Sequence, residues 1–433
     1  MYSIISQGDS AISRRQFLQS SSSALAGASL LGTLSIERSA HAAGSDLLKI
    51  ALIGCGGRGS GAADQALSTA GNTKLVAMAD LLPEHLEKSL NSLKTKHAEK
   101  VDVPPDHQFT DFDGYKKAIA LADVAILATS PGFRPLHFEE AVRQGKHVFM
   151  EKPVATDAPG IRRVLAAAEE SKKKNLKVGV GFQRHHQRPY LEMVKRIQDG
   201  AVGDIQLLRC YWDGGSRDGV ERLPGEQEMH YQIRNWYYFT WLSGDFNVEQ
   251  HIHMLDLCSW ILKDEYPARA YGVGGRAVRT GPEYGNIYDH HSVTYEYESG
   301  AKLFAACRQM AGCSNDISVS VAGEKGTAAL DRRAMQIDAA EKWQYRGEKN
   351  NQSVTEHEEL FASIRSGKPL NNGNYMAKST LLAIMGRMAT YTGQTITWEQ
   401  ALNSQEDLSP SGYTWDAKPP ESPIAIPGVT RFV

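Results

Sequence analysis

The sequence predicts an α/β protein whose first half is a doubly wound parallel sheet. Three observations carry that expectation: short, wholly apolar runs, helical patterns placed between them, and a glycine-rich turn directly after the first run. The 433-residue chain is long enough for two well-buried cores, and 41% hydrophobic with 23% charged residues is a globular composition. A formal net charge of −2, with no basic stripe and no acidic tail, argues against nucleic acid or anionic lipid as a partner. What remains is a small molecule.

The first segment is not expected to belong to the fold. Ser13 to Gln19, "SRRQFLQ", precedes an uncharged small-residue run and then "SAHAAG", the order of a twin-arginine export signal. Residues 1–42 are therefore expected to be removed, with cleavage after Ala42 or Ala43. An ordinary Sec signal or a short membrane anchor is the competing reading. No later stretch is apolar and long enough to span a bilayer. The mature chain is expected in the periplasm, or otherwise exported, without stable membrane insertion. Cys55, Cys210, Cys258, Cys307 and Cys313 form no CxxC, and their odd number leaves at least one thiol unpaired. Cys307 and Cys313 could bridge, although nothing in the sequence requires it.

Leu47 to Ile53 reads as a buried parallel strand running into Gly54-Cys55-Gly56-Gly57-Arg58-Gly59 and an Ala-rich helix. A second strand, "KLVAMAD", ends in Asp80, about 20 residues past the last glycine. Gly54 permits the tight turn and Gly56 lets the backbone approach a pyrophosphate. Gly59 lets the helix pack close to the strand, and the helix N-terminal amides face the phosphates. Gly54, Gly56, Gly57, Arg58, Gly59 and Asp80 are thus assigned to a dinucleotide. Asp80 can accept both ribose hydroxyls of the adenosine and would repel a 2′-phosphate, which favours NAD over NADP. Alone the glycines could be an ordinary turn; strand, glycines, helix, strand and acid in register are a much narrower pattern.

The alternation continues. Ala122 to Thr129 is a third buried strand, followed by a "SPG" turn and a helix, "PLHFEEAVRQG", closed by Gly145. "KHVFMEKP" is a strand ending in Glu151-Lys152-Pro153, "RRVLAAAEESKKKN" a helix and "LKVGVGF" a further strand. Residues 46–175 are the expected nucleotide-binding domain, with ligands at the C-terminal strand ends.

The motifs "ALIGCGGRG", "GKHVFMEKPV", "VGVGFQRHHQRPY", "GAVGDIQLLRCYW", "HIHMLD" and "VAGEKGTAAL" resemble those of the Gfo/Idh/MocA oxidoreductases. That family contains glucose–fructose oxidoreductase and inositol dehydrogenase. "AIMGRMATYTGQTITWEQAL" looks like a branch with many secreted members. The resemblance implies a Rossmann domain followed by an α/β domain, here residues 176–402, with a large, mostly antiparallel open sheet. That sheet carries the substrate and often oligomer contacts, so a homodimer or homotetramer is expected. Residues 403–433, rich in Pro and Ser, are expected to be a surface arm or subunit-wrapping tail. The resemblance also places Thr129, Pro131, Glu151 and Lys152 beside the cofactor. Two departures stand out. Where family members carry a histidine after the Thr-Pro turn, this chain has Arg134 or Pro135, and the usual Asp-x-Gly-x-His reads Glu249-Gln250-His251-Ile252-His253.

A lysine at the end of that strand can hydrogen-bond a reacting hydroxyl as alkoxide character develops. By resemblance Lys152 stands between the nicotinamide ribose and the substrate, its direction fixed by a cis bond to Pro153; elsewhere it would read as a surface lysine. The stretch "NVEQHIHMLDL", 247–257, fits a helix, which puts Glu249 and His253 on one face and His251 well away. A strand would instead gather all three as metal ligands. The helical reading leaves no metal site and makes His253 the base, oriented by Glu249. A buried histidine bonded to a carbonyl is the alternative, and Asp256 is expected to be structural. Arg184 and His185 of "QRHHQRP" are substrate candidates or a solvated turn. Arg234, Trp236 and Tyr237 suit a sugar ring or, equally, core packing. "YDHH", residues 288–291, is expected to be structural.

The leading expectation is an exported oxidoreductase moving hydride between a sugar or polyol carbon and a tightly bound NAD, with Lys152 and His253 handling the proton. An NAD-dependent glycosidase working through a transient keto sugar and a non-catalytic sugar- or nucleotide-binding protein are the alternatives.

Overall fold

The computed structural model describes residues 46–331, 334–421 and 423–433; the expected export signal lies outside them. Strands β1 (Leu48–Ile53), β2 (Thr73–Ala79), β3 (Gln108–Phe109), β4 (Val124–Leu127), β5 (His147–Met150) and β6 (Val178–Val180) form the first sheet. All its pairs are parallel, in the order β3-β2-β1-β4-β5-β6. Helices cover both faces, so β4 and β6 are buried at every residue, which is why they read as unbroken apolar runs. The strand order reverses between β1 and β4, and a crevice opens there at the C-terminal strand ends.

The helix Gly57–Leu67 starts against the first turn in a way only glycine allows. Gly54 has φ of +92°, and a Cβ at Gly59 would stand 1.8 Å from the Gly54 carbonyl oxygen. The crossover helix Ala158–Lys173 is capped by Asp157, whose carboxylate accepts the Gly160 amide at 2.7 Å. That helix leads into β6, which pairs with β5 and lies past the expected domain boundary at residue 175. The boundary is corrected accordingly: the parallel sheet runs to Val180, because a crossover helix needs the strand it delivers.

The second sheet contains β7 (Ile205–Gly214), β8 (Arg269–Gly275), β9 (His290–Glu296), β10 (Lys302–Gln309), β11 (Asp316–Gly323), β12 (Gly326–Asp331), β13 (Met335–Ala339), β14 (Trp343–Gln344) and β15 (Ile396–Thr397). Their order is β14-β13-β12-β11-β7-β10-β9-β8-β15. Among the described residues β7 with β10 is the parallel pair and the other pairs are antiparallel. One face buries Leu208, Val293, Leu303, Val319 and Val321 in a core shared with the helices Ile252–Ile261 and Gly373–Thr392. The helix Gln352–Ser366 crosses back to the first sheet, where Leu360 and Phe361 join Ile50, Leu52 and Phe149. The two sheets are thereby locked into one body.

Beyond Asn403 the chain is irregular but anchored. Val433 O accepts from Ser404 Oγ at 2.6 Å and from the Gln405 amide at 3.0 Å. The Leu408 amide donates to Asp157, and Glu406 pairs with the fully buried Arg387 at 2.6 Å. The expected surface arm therefore lies along its own chain, held by these contacts. All five cysteines are free thiols, Cys313 exposed and the other four buried, so Cys307 and Cys313 are not bridged.

Candidate active site

A cavity of about 850 Å³ occupies the crevice at the ends of β1, β2, β4 and β5, floored by the turn from Gly54 to Ser60. Asp80 closes the end of β2. Its carboxylate accepts the Cys55 amide at 2.5 Å and the Leu82 amide at 2.9 Å, which clamps the glycine turn to the neighbouring strand. A Cβ built on Gly56 or Gly57 meets nothing within 4 Å, so the first turn of the helix presents bare amides to the cavity. Past Asp80 the wall is apolar and largely aromatic: Leu81, Phe112, Tyr115, Phe133 and Leu136. These residues fit a dinucleotide, with the amides for its pyrophosphate, Asp80 for a ribose and the flat wall for a purine.

Arg58 lines the cavity but is committed largely to carboxylates. Its Nε is 2.7 Å from Glu151, Nη1 donates to Gln65 at 3.0 Å, and Nη2 is 3.7 Å from Glu356. Glu356, on the helix Gln352–Ser366, is a neighbour that the sequence reading missed. Burial, with the charge of Glu151 beside it, pushes its carboxyl well above the usual range. Thr129 and Pro131 also line the cavity. Thr129 Oγ1 is 3.2 Å from His137 Nδ1, while Arg134 donates to the Thr129 carbonyl at 2.6 Å from a 1% exposed position. At Arg134 and Pro135 there is no histidine, but His137, one turn further on, faces Thr129. Burial and the Arg134 charge hold His137 down to about 3.

At the other end, Lys152 follows β5 and is joined to Pro153 by a cis bond. Its Nζ donates to the Glu249 carbonyl and lies 2.9 Å from Glu249 Oε1, with the two side chains 10% and 11% exposed. Asn247–His251 is a π-helical turn that opens the α-helix Ile252–Ile261. The wider i→i+5 turn displaces residue i+4 from the face it would share in a regular α-helix. Here the expectation is corrected: Glu249 takes Lys152 and, at 2.5 Å, Gln250, rather than orienting His253. His253 lines the same cavity, stacked on Trp212 at 5.6 Å and edge-on to Phe182 at 6.1 Å. Burial, then the charges of Lys152, Arg184 and Arg58, hold its pKa well below the ordinary value, so the imidazole is a neutral proton acceptor. His251 points into the core, with Nδ1 3.1 Å from Asn247 Oδ1 and Nε2 3.4 Å from Cys210.

The substrate candidates divide. Trp236 and Arg234 line the cavity, although Arg234 is forked onto Glu226 through Nε and Nη2, each at 2.8 Å, which holds Glu226 down at about 2. Tyr237 stands behind the wall, 3% exposed, its hydroxyl bonded to Gln309. Arg184 lies over Trp212 at 5.9 Å and His185 pairs with Asp256 at 2.8 Å while stacking on Trp260 at 4.1 Å. Neither of these two lines the cavity, because the short helix Gln183–His186 turns their side chains toward the second domain. Asp256 also accepts from Ser379, and His291 is buried against Asp245 and Thr390, both structural arrangements. Arg217, Gln250 and Tyr413 line the cavity without having been singled out. They lie in a charged loop, a helix start and an irregular arm, where no periodic signal points inward.

Known proteins share this architecture. Residues 48–182 match the model described as "Oxidoreductase family, NAD-binding Rossmann fold", and residues 190–329 match the "GFO/IDH/MocA C-terminal domain". Inositol 2-dehydrogenase of Klebsiella pneumoniae is 30% identical over 292 residues, 65% of this chain and 74% of the relative. Inositol 2-dehydrogenase/D-chiro-inositol 3-dehydrogenase of Halalkalibacterium halodurans is 27% identical, covering 65% of this chain and 71% of that one. Among solved structures, aldose-aldose oxidoreductase from Caulobacter crescentus complexed with glycerol superimposes with a TM-score of 0.65 at 20% identity, over 81% of this chain and 99% of that chain. Scyllo-inositol dehydrogenase from Lactobacillus casei, with bound NAD(H) and scyllo-inositol, gives 0.62 at 18% identity, over 82% and 99%. The chain belongs to the Gfo/Idh/MocA oxidoreductase family and carries that family's NAD-binding Rossmann domain.

Proposed function

We propose that this protein is an exported oxidoreductase that moves hydride between a polyol or sugar carbon and a tightly held NAD. The observation that carries the reading is the convergence of Lys152, Glu249 and His253 at one end of a single cavity whose other end holds Asp80 and the glycine turn. Bound NAD supplies the hydride acceptor. Lys152 donates a hydrogen bond to the substrate hydroxyl oxygen and stabilises the negative charge that grows there. Glu249 fixes the ammonium by its carbonyl and its carboxylate together. His253, neutral, takes the hydroxyl proton. Trp236 offers a flat apolar face to the C–H side of a ring, and Arg217 offers donors to its hydroxyls.

The relatives' names, inositol dehydrogenases among them, support a cyclic polyol or sugar as the substrate class. They favour net hydride transfer over glycoside cleavage. Asp80 favours NAD over NADP, since a 2′-phosphate would meet its carboxylate. The Arg14-Arg15 motif supports export, and a folded chain exported with its nucleotide needs no external supply. A row of exposed side chains on the open face of the second sheet, Tyr271, Val273 and Phe304, supports a homo-oligomer joined through that face.

The test is to express the chain with its own signal, denature the purified protein and identify the released nucleotide by absorbance and mass spectrometry. Near-stoichiometric NAD(H) is expected. NADP(H) would overturn the assignment to Asp80, and an empty protein that binds no added dinucleotide would overturn the enzymatic reading.

A further inference from the structure

We propose that the C-terminal arm is part of the dinucleotide site, with Tyr413 forming a wall of its adenine end. The proposal rests on the captive-nucleotide reading above and deepens it. Asp80 marks the adenosine end, and the aromatic wall beyond it is where a purine lies flat. Tyr413 lines that same cavity, its ring 5.7 Å from Phe133. Both family models stop well before it, at residue 329 or earlier, so neither accounts for its presence.

The arm is held there rather than resting there. Trp415 lies edge-on to Phe112 at 4.9 Å and 5.4 Å from His230. It thus ties together the loop after β3 and the helix Glu228–Arg234, which contributes Ile233 and Arg234 to the cavity wall. Upstream, Leu408 is bonded to Asp157 and Glu406 to the buried Arg387. Downstream, the carbonyl of Val433 takes two hydrogen bonds from Ser404 and Gln405, closing the arm into a loop. A purine leaving by this end has to displace Tyr413, which lies two residues from the anchored Trp415. The arm therefore sets the rate at which nucleotide escapes, by covering one end of the site.

The experiment uses full-length protein loaded with NADH and follows its release on mixing with excess NAD, for wild type and for Tyr413→Ala, Trp415→Ala and Tyr413→Phe. Affinity for ADP, which carries the adenine end without the nicotinamide, is measured alongside. Release should quicken by about ten-fold or more in both alanine variants, with ADP binding weakened in proportion, and stay within about two-fold in Tyr413→Phe. Slow release in the wild type that is unchanged in both alanine variants would overturn the role of the arm and leave the captive nucleotide standing. Fast release from the wild type would instead overturn the captive reading. The arm would then be judged on ADP alone: weaker binding in Tyr413→Ala supports it as a wall of the site, and unchanged binding removes it.

Discussion

Glu249 shows how much one residue's direction matters. A carboxylate aimed at His253 would support an imidazolium; aimed at Lys152, it fixes an ammonium and leaves the imidazole neutral. Replacing it with Gln keeps the carbonyl contact, which is backbone, and removes the charge. Glu249→Gln is therefore expected to lower kcat by about 10- to 100-fold, with the melting temperature reduced, and steady-state kinetics with unfolding scans check both. An unchanged kcat would contradict the positioning role. That Gly54, Gly56, Gly59 and Asp80 meet at one cavity was legible because they are a chain-local pattern, announced by spacing. Glu249 facing Lys152 was not legible. A π-turn changes the angular position of a side chain without changing the apolar pattern around it. His137 was missed too, since only the fold brings it to Thr129.

At the scale of an element, the turn between β1 and the helix Gly57–Leu67 separates folding from binding. A Cβ at Gly59 would collide with the Gly54 carbonyl, whereas one at Gly56 would enter only the cavity. Gly59→Ala is expected to destabilise the protein by about 1–3 kcal/mol, since the helix must shift away from the strand. Gly56→Ala should leave the melting temperature of the nucleotide-free protein nearly unchanged while weakening NAD binding by about ten-fold or more, a pattern read by unfolding scans and calorimetry. Equal effects of the two substitutions on stability would contradict this division. Elements buried on both faces were the easiest to read from sequence, because a parallel strand covered by helices has no polar side to blur it. The helix Gln183–His186 is the counterexample. Because it follows a strand, its Arg184 and His185 were substrate candidates, yet contacts with Asp256 and Trp260 turn His185 away from the cavity.

The whole molecule joins a parallel and a mostly antiparallel sheet around one crevice, and both the fold class and the family were readable because nearly the whole length of the chain carries their motifs. What was not readable is how the chain's last segment returns. An irregular, Pro-rich stretch has no period, so only tertiary contacts such as Glu406 with Arg387 and Trp415 with Phe112 reveal where it lies. The same limit applies to Arg217, which reaches the cavity from a charged loop. The central claim is that this cavity transfers hydride from a polyol or sugar hydroxyl, with Lys152 and His253 managing the proton. It is tested most directly by adding a panel of cyclic polyols and aldoses to NAD-loaded protein and following reduced nicotinamide in a single turnover. The account predicts reduction with at least one of them, slowed by about 10²- to 10⁴-fold in His253→Ala and in Lys152→Ala while NAD stays bound. Undiminished reduction in both variants, or none with any hydroxylated substrate despite bound NAD, would contradict it.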